Sequence, residues 1–156
     1  MKPLDRGLNT AILHITSRLF PSGFDVSNDA PNTYEELRAV PGSGRRMVVY
    51  SGGSDATIYG DAEVNYAFRA WHDWGHIRHS LHFTLRDEAA VYEVQRRQLV
   101  ELYGDSSQTR DWCAILRAEV VGQAEYFILY ERFPDDQRAF IKKYLEDKRI
   151  ALLNEY

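Results

Sequence analysis

Apolar residues recur at helical spacing over most of this chain, and the breaks in that pattern divide it into elements. Leu4, Leu8, Ile12, Ile15 and Leu19 are three or four apart and predict an amphipathic helix over Pro3 to Phe20, stopped by Pro21 and Gly23. Residues 22–32 are turn-rich. Thr33 followed by Glu36 is a capping-box pattern, opening a short helix that Pro41-Gly42 ends. The period then changes. Met47-Val48-Val49-Tyr50 reads as a strand, Gly52-Gly53-Ser54-Asp55 as a turn, and Thr57-Ile58-Tyr59 as a returning strand.

Beyond Gly60 the helical period resumes. It predicts helices over Asp61 to His82, Leu85 to Tyr103, Ser107 to Phe133 and Asp135 to Asn154, with Gly104 as a left-handed C-terminal stop. The expected fold is mainly α: a single-domain helical bundle over residues 1–156 with a short β-hairpin near residues 47–59.

Composition narrows the class. A chain of 156 residues can bury a core without disulfides or a structural metal. Its net charge of −4 argues against general nucleic-acid binding, because a polyanion would repel it. The single cysteine, Cys113, cannot form an internal disulfide and fits a reducing compartment. No apolar run approaches the roughly 20 residues that span a bilayer, and the first residues show no export signal, so a cytoplasmic location is expected. The C-terminal pattern of Phe140, Tyr144, Leu145, Ile150 and Leu153 suits either bundle closure or a homo-oligomer contact.

One segment carries the chemistry. Four of the five histidines fall within eleven residues, in Trp71-His72-Asp73-Trp74-Gly75-His76-Ile77-Arg78-His79-Ser80-Leu81-His82. Helical geometry places His72, His76 and His79 on one stripe, continued by Asn65 and Phe68, with His82 to one side. Asp73 lies at the stripe's edge, about 100° round from His72. On the next predicted helix, Glu88 and Gln95 share a face with the apolar Val91 and Leu99. A carboxylate on such a face is costly unless it is paired or ligates a cation. Glu119 and Gln123 repeat the anomaly on the helix after that, beside Trp112, Leu116 and Tyr126, while Arg117, Glu125 and Arg132 mark its solvent side. Two or three imidazoles with a carboxylate suit zinc first, and iron or manganese as alternatives. Glu119 or His79 would then transfer protons.

The spacing His72-Asp73-Trp74-Gly75-His76, eleven residues, then Glu88 resembles the zinc-binding HDxxH-x11-E motif of the coenzyme Q (ubiquinone) biosynthesis family. That resemblance covers 17 residues and implies metal ligation by His72, Asp73, His76 and Glu88. The expected function is a metal-dependent enzyme of the lyase, decarboxylase or hydrolase type acting on a small molecule, its site lying between central helices. The His72-Asp73 doublet also suits an HD-type phosphohydrolase, although His14 is its only upstream histidine. A non-enzymatic protein with a structural metal or a buried polar network is the third reading. Finally, the glycine-rich segments Gly42–Arg46 and Gly52–Ser54 could each embrace an anion through backbone N–H groups and the arginines.

Overall fold

A computed structural model describes residues 1–153. It is mainly α-helical, with one small two-stranded sheet. The chain forms two compact units, the first from Met1 to Phe83 and the second from Thr84 onward.

In the first unit, Asp5 sets the start of α1 (Arg6–Leu19), because its carboxylate accepts the Leu8 N–H at 2.9 Å. Leu8, Ile12 and Ile15 are buried, as the period predicts. The capping box at Thr33 opens α2 (Tyr34–Ala39): the Thr33 hydroxyl accepts from the Glu36 N–H at 3.2 Å, while the Glu36 carboxylate takes the N–H of Asn32. Strand β1 (Asp25–Ser27) pairs with β2 (Val48–Tyr50), and the pairing is parallel, with Val26 opposite Val49. Parallel neighbours need a long crossover, and α2 occupies it.

No hairpin forms over 47–59. The strand at Val48–Tyr50 exists, but its partner lies upstream and Thr57-Ile58-Tyr59 is not a strand. Those three residues are nonetheless buried. Their backbone is bonded instead to the start of α1, with Leu4 N–H donating to Ile58 O at 2.7 Å and the Asn9 side-chain amide to Tyr59 O at 2.9 Å. An apolar run of this length fixes burial but not the backbone partner.

Helix α3 (Ala62–His79) begins at the Asp61 cap and packs along α1. Leu37, Met47, Val49 and Ala70 form a core cluster flanked by Phe20, Phe24, Tyr66 and Ile77. The Gly52–Ser54 loop is held from within. The Arg69 guanidinium donates to the carbonyls of Tyr50 and Gly52, the latter at 2.6 Å, and Asn65 donates to the Ser54 hydroxyl at 2.9 Å. The carbonyl oxygen of Gly52 in this loop therefore faces a cation.

In the second unit, Thr84 caps α4 (Leu85–Tyr103), and Gly104 ends it as expected, although at φ +81° and ψ 167° it is extended at positive φ and not left-handed helical, a conformation that glycine alone adopts freely. The Glu93 carboxylate is held below its usual range, chiefly by its hydrogen bond from Arg96. The helix read as continuous over 107–133 is interrupted: α5 (Ser107–Arg117) passes into a π-helical turn, Ala118–Gly122, and then α6 (Gln123–Tyr130). Glu131 ends it in a left-handed conformation. A Cβ on Gly122 would lie 3.0 Å from the Tyr144 ring, so the glycine makes room for that ring within the turn.

The C-terminal prediction splits into α7 (Gln137–Glu146) and α8 (Lys148–Leu153), because Asp147 is extended and its carboxylate caps the second piece through Arg149 N–H at 2.9 Å. Asn154, the expected end, lies outside the described residues. Glu125, read as a solvent-side residue, belongs to a network: Tyr144 donates to it at 3.0 Å, Lys148 at 2.7 Å, and Arg117 donates to the Tyr144 hydroxyl at 3.2 Å. Burial, reinforced by Glu125, pushes the Tyr144 hydroxyl above its ordinary pKa.

Gln95, on the buried face of α4, has 0 % of its surface exposed. Neither its amide nitrogen nor its oxygen has a hydrogen-bond partner among the described residues. An unbonded buried amide costs about 1–3 kcal/mol. Gln95→Met, which keeps the length and removes the polar atoms, is expected to raise unfolding stability by about 1 kcal/mol in urea titrations. A decrease would show that the amide is satisfied.

Candidate metal centre

The site begins with how α3 ends. The expected helix ran to His82, but Ser80 takes a left-handed conformation, φ 53° and ψ 44°, and the helix stops at His79. The Leu81 N–H donates to His76 O at 3.0 Å and the Ser80 N–H to Ile77 O at 3.4 Å. This is the Schellman pattern, in which a left-handed residue lets the chain turn back and satisfy the last carbonyls. Glycine is the usual residue there. Its absence is why the stop was not legible. Ser80→Gly relieves the left-handed serine and is expected to stabilise the protein by about 0.5–1 kcal/mol in thermal unfolding, leaving metal affinity unchanged.

The turn also orients a histidine. His76 is fully buried, and its Nδ1 lies 2.9 Å from the carbonyl oxygen of Leu81. A carbonyl only accepts, so Nδ1 carries the hydrogen and donates it. In the neutral ring Nε2 is then left with its lone pair. That Nε2 lies 3.0 Å from Nε2 of His72, half-buried one turn earlier, and accepts the hydrogen that His72 Nε2 donates. Phe83 packs edge-on against the His76 ring with centroids 4.9 Å apart, and Phe68 stacks on His72 at 5.8 Å. Two imidazoles are thus aligned with their Nε2 atoms together and aromatic rings around them.

One ligand atom from each of His72, His76 and Glu88 lies within 4.8 Å of the others, and the three could hold a metal ion. The donor set fits. Two nitrogens about 2.0–2.1 Å from a tetrahedral zinc ion stand about 3.3 Å apart, close to the separation of the two Nε2 atoms. The Leu81 carbonyl on Nδ1 is the outer hydrogen bond that ligating histidines commonly make, and sequence reasoning did not find it.

The other expected site residues are placed differently. Asp73, half-buried, is not in the group of three. The helical period turns it away from His72 and His76. His79 is exposed at the last position of α3, its ring 6.2 Å from Trp74. The inward stripe therefore stops at His76. His82 is exposed and its ring stands 4.0 Å from that of Tyr34, and His14 is exposed on α1. Glu119 is buried, 8 % exposed, within the π turn of the second unit, and Gln123 follows it at 7 %. No family model, curated protein or solved structure matches the chain.

Proposed function

We propose that this chain is a metal-dependent enzyme in which His72, His76 and Glu88 hold a divalent cation, with zinc the first choice and iron or manganese the alternatives. One observation carries the reading: two imidazole nitrogens and a carboxylate oxygen are gathered within 4.8 Å, one imidazole already fixed in its ligating tautomer. The resemblance to the ubiquinone-biosynthesis motif supports the ligand set, and we take no prenylated substrate from it.

A bound divalent cation supplies Lewis acidity at neutral pH. The protein's part is to orient donors and to handle protons. His76 is oriented by Leu81, and His72 by its stacking on Phe68. Three protein ligands leave a coordination position for substrate or water, as catalytic sites require. For proton transfer the candidates remain Glu119, a buried carboxylate in a π turn of the second unit, and His79, exposed at the end of α3. Lyase, decarboxylase and hydrolase reactions are all served by these parts. No described helix is long and apolar enough to cross a membrane.

The test is elemental analysis of untagged protein purified without chelators, followed by assay against esters, phosphoesters and carboxylate substrates. About one equivalent of metal per chain is expected. Glu119→Gln is expected to keep that metal and lose at least about a hundredfold in kcat. Protein that neither carries nor takes up zinc, iron or manganese would overturn the reading.

A further inference from the structure

The side of α3 away from the histidine pair has its own site. Phe20, Val40, Met47, Trp74 and Ile77 line a cleft of about 310 Å³ in the first unit, with Arg45 and Arg78 among its walls. Arg78 is two residues beyond His76, about 200° round the helix, so the cleft and the imidazole pair use different faces of α3. The volume falls in the range of small-molecule sites, and such sites combine an apolar lining with a few placed polar groups.

The polar groups here are both cationic. Arg38 pairs with Glu35 at 3.4 Å and Arg46 with Asp25 at 3.7 Å. By contrast, the guanidiniums of Arg45 and Arg78 have no ion pair or hydrogen bond among the described residues, and both residues are exposed. Two uncompensated guanidiniums beside an apolar lining complement a ligand with one anionic end and one apolar end. Guanidinium is also the side chain best suited to carboxylate or phosphate oxygens.

We propose that this cleft binds a small amphipathic anion, an acyl- or aryl-type body in the apolar cleft with its carboxylate or phosphate monoester head on Arg45 and Arg78. The apolar end meets Met47, Ile77 and the Trp74 indole, and the head stays at the open side where the arginines are solvated. The binding needs no metal and stands apart from the imidazole pair.

Calorimetric titration with decanoate, decyl phosphate and decanol tests it. Both anions are expected to bind saturably, decanol at least about tenfold more weakly, and the tighter anion identifies the head group. Arg45→Gln and Arg78→Gln change exposed side chains and should each weaken the preferred anion about five- to tenfold. Ile77→Trp should block the cleft in protein whose circular dichroism is unchanged, and if that variant does not fold, the arginine variants decide. Treatment with EDTA should leave binding intact. Decanol binding as well as the anions, no saturable binding of either anion, indifference to both arginine changes, or loss of binding with EDTA would each overturn the proposal.

Discussion

Replacing His76 with alanine is expected to lower zinc affinity at least about a hundredfold, beyond the 10–100-fold typical of losing an outer-shell partner, because a ligand itself is removed. The same change empties a fully buried position. It removes the Nδ1 bond to Leu81 and the edge-on contact with Phe83, so stability should fall by about 2–4 kcal/mol. Those two effects must be separated. Glu88→Gln keeps the side chain's size and is expected to lose metal while staying within about 1 kcal/mol of the parent, since the residue is only half-buried. Competition with a chromophoric chelator reads the affinities, and denaturant titration reads the stabilities. If His76→Ala folds and binds zinc as the parent does, the proposed metal centre is wrong.

Gly60→Ala should be the most damaging single-methyl addition in the first unit. Gly60 has φ +65°, and a Cβ there would stand 2.3 Å from the Met1 carbonyl oxygen and 2.9 Å from the Pro3 nitrogen. These are backbone atoms and cannot swing aside as a side-chain tip does. The left-handed penalty is about 1–2 kcal/mol. Moving residues 1–3 away also strains the bond from Leu4 N–H to Ile58 O, worth about 1 kcal/mol. A total loss of about 2–3 kcal/mol is expected in denaturant titration. A loss below about 1 kcal/mol would mean that the first residues do not hold this position.

The helices were legible where a periodic run met a polar cap. Asp5, Thr33, Asp61, Thr84 and Ser106 each accept a first-turn N–H, and in α1 and α4 the apolar period gives the buried face. What sequence hid was local backbone conformation without its usual residue. A left-handed serine ends α3, an aspartate splits the last helix, and a π turn interrupts a segment of unbroken helical period. Partnering was hidden as well. Val48–Tyr50 reads as a strand, but nothing in it says that Asp25–Ser27 will pair with it in parallel. The site followed the same division. The i, i+4 histidines and the Glu88 spacing were readable, whereas His79 was read onto an inward stripe that the helix end leaves in solvent.

The short reversal at Ser80 has a thermodynamic consequence for recognition. A neutral imidazole in water divides itself between two tautomers and rotates about two bonds. Folding has already confined His76 to one tautomer and one orientation, through the Leu81 carbonyl. The entropy of ordering that ring is therefore charged to folding and not to association. For this ring coordination needs neither a change of tautomer nor rotation, only displacement of the hydrogen it accepts from His72, so less of its ordering cost falls on association.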